Sequence, residues 1–228
     1  MRNAIESTSI AAVYYCQPRP EMLPFVPATT KRVLELGCAD GAFAATVKQR
    51  GGVEVWGIEP SPEAAERARA VIDRVLVGDA DERIAELPDA YFDAIICNDV
   101  LEHLVDPWAT LAHLRPKLTP GGVVVASIPN IRFIPALSQI VFHRDFPQDD
   151  CGIFDRTHLR FFTRKSIVRL FETAGFTMQS MKGINAYYGR FGLLLTILSF
   201  GYFADGFYTQ YACVASPTGQ ISIQPDAS

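Results

Sequence analysis

From residue 31 onward, the chain alternates between short β-branched runs and longer stretches whose apolar residues have helical spacing. Strands are predicted at five places: residues 33–36, 53–58, 75–77, 92–97 and 123–128. Strands separated by helices form βαβ units, which place parallel strands side by side. The alternation therefore predicts an α/β fold with a doubly wound, mostly parallel sheet and helices on both faces.

Capping and breaking residues mark the intervening helices. Residues 61–63 (Ser-Pro-Glu) open one helix, because serine caps, proline suits the first helical position and a carboxylate suits the positive end. Asp106 is expected to cap another helix, which Pro116 should kink or end. Residues 163–174 predict a further capped helix that ends at Gly175.

These patterns divide the 228 residues into an arm, a domain and a tail. The N-terminal arm is expected over residues 1–30 and the domain over residues 31–215, followed by a frayed tail over residues 216–228. The domain carries an irregular insert at about 130–162 and an apolar insert at about 186–206. Long irregular stretches inside a compact domain are usually functional, so the first insert is expected to cover an acceptor.

Composition excludes several classes of protein. The net charge of −4 leaves no electrostatic footprint for wrapping nucleic acid, so no DNA partner is expected. The five cysteines are scattered and form no CxxC, which argues against a disulfide framework or a zinc ribbon. Such cysteine usage suits a reducing compartment, and the start lacks the pattern of a secretory signal. A cytoplasmic location is the expectation.

The most apolar segment is residues 191–203, which lies between two last predicted strands at 176–181 and 208–214. Its 13 residues fall short of the ~20 that a bilayer-spanning helix needs, so no transmembrane segment is expected. Two interpretations stay open. The segment is either a buried helix, or a surface that faces a membrane or a partner, such as a second copy of the chain.

The most informative motif is VLELGCADGAFA, residues 33–44, in which a strand enters a small-residue turn and then a helix. Gly37 and Gly41 permit positive φ and close approach of a ligand to the backbone. The turn falls at the carboxyl end of the first strand, where open α/β sheets bind ligands. It matches neither GxGxxG nor GK[ST], and Glu35 beside it would repel a pyrophosphate but suit a cationic ligand.

Two more carboxylates follow neighbouring strands. Glu59 ends the second strand, 22 positions after Gly37, which is the spacing of the acidic residue that binds ribose hydroxyls in doubly wound folds. Asp79 follows the third strand, where it is placed to accept from an exocyclic amine. Each carboxylate alone is typical of a helix cap, but together with the turn they predict one nucleoside site.

The segments VLELGCADGAF, VWGIEPSPEAAERAR, VLVGDADE, FDAIICNDVLEHLVDP and LTPGGVVVASIPN resemble, in order and spacing, the class I S-adenosylmethionine-dependent methyltransferases. The resemblance covers residues 31–181 and implies a Rossmann-like, seven-stranded sheet whose last strand is antiparallel. It also implies S-adenosylmethionine as cofactor. The cofactor-binding residues that it implies are Glu35, Gly37, Cys38, Ala39 and Gly41 toward the methionine part, Glu59 and Pro60 toward the ribose, Asp79 and Ala80 toward the adenine, and Asn98 near the methionine. Ala39 replaces a common glycine, at little cost if its φ stays negative.

Residues after the fourth predicted strand include the candidates for contact with the methyl acceptor. An acceptor hydroxyl must lose a proton during transfer, and histidine has a suitable pKa for a base. His103, in the loop after the strand, and His158, in the insert, are the candidates. His143 is a candidate substrate contact.

The same region suggests a divalent-metal site. Asp99, Glu102, His103 and His158 offer oxygen and nitrogen ligands. The set resembles the ExxEH motif of RNA 3′-terminal 2′-O-methyltransferases, and an EH element is similar in quinone-biosynthesis O-methyltransferases. Asp99 stands where the first glutamate of that motif would be. A metal, a base without metal, and a purely structural role for the loop all stay open.

The segment FDRTHLRFFT, residues 154–163, resembles a bacterial subgroup associated with cell-surface sugar or glycan assembly. Arg156 and Arg160 either bind a phosphate or carboxylate of the acceptor or pair with nearby aspartates. The resemblance implies an enzyme (EC 2.1.1.-) that O-methylates a small-molecule or glycan-like acceptor. Two alternatives are a non-catalytic, cofactor-binding partner subunit and a metal-dependent O-methyltransferase that acts on RNA ends or quinone precursors.

Overall fold

The computed structural model describes residues 18–219, which form a seven-stranded sheet in the order β3-β2-β1-β4-β5-β7-β6. Neighbouring pairs among β1–β5 are parallel, whereas β7 runs antiparallel to both β5 and β6. The strands are β1 Arg32–Leu36, β2 Glu54–Glu59, β3 Arg74–Val77, β4 Phe92–Asn98, β5 Leu118–Pro129, β6 Phe176–Ala186 and β7 Tyr208–Pro217. The predicted α/β class, with a mostly parallel sheet and an antiparallel last strand, is confirmed.

Helices connect the strands and cover the sheet. They are α1 Ala42–Lys48, α2 Pro62–Ala68, α3 Ala80–Arg83, α4 Pro107–Leu114, α5 Ile134–Val141, α6 Arg164–Thr173 and α7 Arg190–Leu198. Alternate residues of β1 enter different apolar clusters, because Leu34 belongs to one cluster and Val33 to the other. Since successive side chains of a strand point to opposite faces, the core is two layers, one on each side of the sheet.

The predicted caps begin three of the helices. Ser61 Oγ accepts a hydrogen bond of 3.3 Å from the Ala64 amide, and Asp106 Oδ1 accepts one of 3.0 Å from the Ala109 amide. Thr163 begins α6 within a capping box. Helix α4 ends at Leu114, two residues before Pro116, as the missing amide of a proline requires.

The structure differs from the sequence expectation in the insert at 130–162. A helix, α5, occupies part of this stretch, although Pro135 and the surrounding aromatic residues hide its period. Proline is tolerated there because it stands in the first turn of the helix. The insert is anchored at its end by Phe162, which is buried.

The chain ends also differ from the expectation. Strand β7 runs to Pro217, two residues into the predicted tail, and pairs there with Phe176 of β6. Of the predicted arm, residues 20–25 form a 3-10 turn with Met22 buried. The rest of the arm up to residue 17 and the tail from residue 220 lie outside the described residues.

The apolar segment forms α7, and its buried-helix interpretation is wrong. Leu194, Ile197 and Leu198 are 55%, 64% and 69% exposed, and Phe200 beyond the helix is fully exposed. Among the helices within residues 18–219, none is long and apolar enough to cross a membrane. The segment therefore presents its apolar side chains outward.

Candidate active site

A cavity of about 1250 Å³ opens at the carboxyl ends of β1, β2 and β4. Its wall contains every residue predicted to hold the cofactor except Gly41, together with both candidate histidines. The predicted residues on the wall are Glu35, Gly37, Cys38, Ala39, Glu59, Pro60, Asp79, Ala80, Asn98, His103 and His158. The topology brings these side chains together because the ends of parallel strands meet at one edge of the sheet.

The glycines of the first turn have different roles. Gly37 has φ +66°, and a Cβ on it would lie 2.8 Å from Val100 Cγ2, so the wall is closed to any larger residue. Gly41 has φ +84°, and a Cβ on it would clash with Val71 Cγ2. Gly41 lies off the cavity wall and caps α1, where it lets the turn enter the helix.

Ala39 adopts φ +49°, so the condition for a low-cost replacement of glycine, a negative φ, is not met. The left-handed conformation brings Cβ of an L-residue close to the following carbonyl and costs roughly 1–2 kcal/mol. Its amide donates a 2.9 Å hydrogen bond to Glu59 Oε2. The strained conformation directs the Ala39 amide toward the Glu59 carboxylate.

Glu59 is buried at the end of β2, and two backbone amides hold its carboxylate. Oε2 accepts from Ala39, and Oε1 accepts a 2.9 Å bond from Ser61. Burial raises the pKa of Glu59, while these two amides and Arg67 oppose that rise. Each carboxylate oxygen retains a second lone pair, so the group is oriented to accept from hydroxyls in the cavity.

Glu35 is a buried carboxylate on the wall of the cavity. Burial raises its pKa to about 8, opposed by the Ala44 amide and supported by repulsion from Asp40 and Glu59. Its Oε2 is buried and has no hydrogen-bond partner within the described chain. Asn98 Oδ1 and Nδ2 are also buried and have no hydrogen-bond partner among the described residues. Glu35 Oε2 and Asn98 Oδ1 are acceptors that suit a ligand with a positively charged group, whereas Asn98 Nδ2 is a donor that suits a ligand oxygen.

Asp79 stands at the rim of the cavity. It is exposed and begins α3 without capping the helix through its side chain. Its carboxylate is thus available to a ligand amine, which is the role that the sequence predicts for it.

Arg19 is a cavity residue that the sequence does not reveal. It is 9% exposed and forms ion pairs with Glu21 and with Asp99. Gln210 of β7 joins this network by donating a 2.6 Å bond to Asp99 Oδ1, and Ser127 donates to the same oxygen. Arg19 and Gln210 both lie far from Asp99 in the sequence, so no local pattern predicts the network.

Asp99 is therefore separated from the candidate metal set. The residues that approach one another are Glu102, His103 and His158, with one ligand atom of each within 4.8 Å of the others. The two imidazole rings lie 4.6 Å apart between centroids, and His158 Nε2 lies 3.9 Å from Glu102 Oε1. Burial raises the pKa of Glu102 to about 8. The predicted four-residue set is reduced to three because Asp99 is held by Arg19.

Backbone carbonyls orient both histidines. A carbonyl only accepts, so His103 Nδ1 donates to Thr157 O at 3.2 Å and His158 Nδ1 donates to Ile153 O at 3.1 Å. Thr157 Oγ1 in turn donates to Asp155 at 2.7 Å. In the neutral rings these bonds leave the lone pair on Nε2.

The three predicted substrate contacts do not reach the cavity wall. Arg156 is exposed and pairs with Asp150, which was one of the two interpretations left open. Arg160 donates a 2.6 Å bond to the Val105 carbonyl and braces the loop before α4. His143 is exposed beyond the end of α5.

Comparisons with known proteins identify the family of the chain. The family model described as "Methyltransferase domain" matches residues 9–181. The ubiquinone biosynthesis O-methyltransferase of Aeromonas salmonicida is 28% identical over 161 residues, which are 68% of this chain and 66% of that protein. The trans-aconitate 2-methyltransferase of Escherichia coli is 29% identical over 136 residues, or 58% and 54% of the two chains. The chain thus spans just under two thirds of the first relative's length and just over half of the second's.

A solved structure shares the fold. The S-adenosylmethionine-dependent methyltransferase from Thermotoga maritima, described as a possible histamine N-methyltransferase, superposes with a TM-score of 0.63 at 18% identity over 94% of each chain. The chain belongs to the methyltransferase domain family. The matched region is a methyltransferase domain of the S-adenosylmethionine-dependent class, and the acidic cavity with its unpartnered polar atoms fits that cation.

Proposed function

We propose that this methyltransferase transfers the methyl group to a hydroxyl oxygen of a small-molecule or sugar-like acceptor. The observation that carries the proposal is the pair of oriented imidazoles on the wall of the cofactor cavity. An acceptor hydroxyl loses its proton as it becomes an ether, and a base at this position would take that proton.

The histidines suit this role at neutral pH. Burial lowers the pKa of His103, with His158 adding to the effect, and burial also lowers the pKa of His158. Both rings are therefore neutral near pH 7 and able to accept a proton. We assign the base role to His103, with His158 packed edge-on against it.

The remaining wall residues hold the donor. Bound S-adenosylmethionine would supply an electrophilic methyl group on a positively charged sulfur. Glu59 would bind its ribose hydroxyls, Glu35 and Asn98 its charged amino-acid end, and Asp79 its adenine. The chain's contribution is alignment of donor and acceptor in a fixed electrostatic setting.

The acceptor side of the cavity is formed by the insert. Phe133, Ala136, Gln139 and Phe154 line it, a mixture of apolar and polar groups that fits a compact ring with hydroxyls. A volume of about 1250 Å³ is ample for the donor and a molecule of that size.

The experiment is methyl transfer from labelled donor to a panel of phenolic and sugar hydroxyl acceptors. His103→Asn should lower turnover about 100-fold or more, as loss of a general base does, while calorimetry shows unchanged affinity for S-adenosylhomocysteine. His113→Asn, an exposed histidine on α4, is the matched control. Unchanged turnover in His103→Asn and His158→Asn would exclude the base.

A second candidate is a metal-dependent O-methyltransferase, as the sequence suggests for RNA ends or quinone precursors. The observation in its favour is the convergence of Glu102, His103 and His158. A carboxylate and two imidazoles suit a first-row divalent ion. Activity that a chelator abolishes and Mn²⁺ or Zn²⁺ restores would favour this candidate over the metal-free base.

A third candidate is a non-catalytic, cofactor-binding partner subunit. The outward apolar face of α7 is the observation behind it. Turnover by the chain alone, with a monomeric mass in light scattering, would exclude it.

A further inference from the structure

Helix α7 turns most of its apolar side chains outward. Arg190, Leu193, Leu194, Ile197 and Leu198 follow helical spacing and are all exposed, so they form one outward face. The opposite face rests on the domain through the buried Gly192. An apolar face turned to water is unfavourable for a free helix and indicates an apolar neighbour.

The inward face of the same helix carries two polar residues beside Leu195, which is half-buried. Thr196 and Ser199 are half-buried, and Thr196 Oγ1 is buried without a hydrogen-bond partner in the described region. A Cβ on Gly192 would lie 3.1 Å from both Ile134 of α5 and Phe207, so the helix lies too close to rotate its leucines inward. The orientation is therefore fixed by packing.

The exposed face continues into a patch of aromatic residues. Phe200 is fully exposed and Tyr202 is 68% exposed, while Tyr187 and Tyr188 are exposed before the helix. Tyrosine is typical of membrane–water interfaces, because its ring is apolar and its hydroxyl group stays hydrated. We define the apolar patch as Leu193, Leu194, Ile197, Leu198, Phe200 and Tyr202.

A basic cavity of about 370 Å³ adjoins this patch. Tyr202 belongs to both, and the cavity wall also holds Arg132, Arg164 and Lys165 against a single carboxylate, Asp205. Arg132 already binds Asp205 at 2.8 Å and lies 5.1 Å from the Tyr202 ring centroid. Arg164 and Lys165 are exposed and form no ion pair within residues 18–219.

We propose that the apolar patch and the basic cavity together bind the surface of an anionic lipid bilayer. The leucines would enter the acyl boundary while Arg190, Arg164 and Lys165 meet headgroup phosphates. Residues 186–204 carry no acidic side chain and one cation, Arg190, so nothing in them repels an anionic surface. The proposal is independent of which acceptor the enzyme methylates.

A second copy of the chain fits this face less well. A two-fold contact sets the same patch against itself, so Arg190 and the basic cavity would meet cations rather than carboxylates. The one acidic residue nearby, Asp205, is already engaged by Arg132. An anionic bilayer supplies both the apolar layer and the missing negative charge.

The test is flotation of the full chain with vesicles of phosphatidylcholine alone or mixed equally with phosphatidylglycerol. Wild type should float with the mixed vesicles, less at high salt, and poorly with phosphatidylcholine alone. Leu194→Asp/Ile197→Asp should lower the bound fraction at least tenfold. Arg164→Gln/Lys165→Gln should weaken the partition constant onto mixed vesicles about 30-fold, at about 1 kcal/mol for each cation.

Matched controls are Val105→Asp, an exposed valine outside the patch, and Arg69→Gln, an exposed cation that pairs with Glu66. Unchanged affinity for S-adenosylhomocysteine shows that each variant is folded. The proposal is overturned if wild type ignores anionic vesicles or if both double variants float like wild type. It is equally overturned if wild type is a dimer that Leu194→Asp/Ile197→Asp converts to a monomer.

Discussion

Glu59 Oε2 accepts a 2.9 Å hydrogen bond from the amide of Ala39, so the carboxylate that ends β2 fixes the turn that follows β1. The bond crosses between neighbouring parallel strands at their carboxyl ends. One side chain therefore both shapes the turn and faces the cavity that the turn encloses.

This double role predicts the effect of Glu59→Gln. The new amide group would have to face either the Ala39 or the Ser61 amide, so one of the two bonds becomes a donor–donor clash. We expect affinity for S-adenosylhomocysteine to fall about 10- to 100-fold, as for a lost charged hydrogen bond. Calorimetry measures this, with Glu63→Gln, an exposed carboxylate four residues on, as control. Equal affinity in the two variants would contradict the assignment.

Ala39→Gly should stabilise the protein. At φ +49° glycine avoids the left-handed penalty, and we expect a gain of about 1 kcal/mol in the free energy of unfolding. Ala45→Gly, in the middle of α1, should do the opposite and cost about 1 kcal/mol. Urea denaturation of both variants gives the comparison. A loss of stability in Ala39→Gly would mean that the turn does not hold this conformation in solution.

Local signals explain why much of the site was predictable. Glu35, Glu59 and Asp79 each lie near or just after the carboxyl end of a strand, and parallel topology brings strand ends together. Arg19 has no such signal, because its approach to Asp99 depends on how the arm packs. The φ of Ala39 was also hidden, since nothing in the turn's composition reports that Glu59 holds its amide.

The outward face of α7 was equally hidden. An apolar run such as 191–203 has the same composition whether its leucines face the core or the solvent. The deciding feature is Gly192, whose close approach to Ile134 and Phe207 sets the rotation of the helix. That contact joins segments about 60 residues apart, beyond the reach of any periodicity.

Glu35 predicts a pH dependence of stability in the protein without added cofactor. Its pKa is about 8 in the folded state against 4.5 as the unperturbed value. Between these values the folded protein keeps a proton that the unfolded chain has lost, so stability falls as pH rises, by at most about 1.4 kcal/mol per pH unit. Glu102, with a pKa of about 8, adds to the fall.

Glu35→Gln should therefore flatten this profile by about half, since the amide stays neutral. Thermal unfolding measured from about pH 5 to pH 8 checks it, with the exposed Glu82→Gln as control. A Glu35→Gln profile with the same slope as the wild-type profile would show that Glu35 is ionised in the folded protein.

The Arg19–Asp99 pair predicts a coupled effect on stability. Arg19 is nearly buried, so Arg19→Gln leaves Asp99 without its cation, and we expect a loss of about 2–3 kcal/mol. Asp99→Asn alone should also destabilise, but the double variant should lose about 2 kcal/mol less than the two single losses added, because both remove one interaction. Arg69→Gln, which breaks an exposed pair with Glu66, should cost under about 0.5 kcal/mol. Strictly additive losses at residues 19 and 99 would mean that the arm does not close on this side of the cavity in solution.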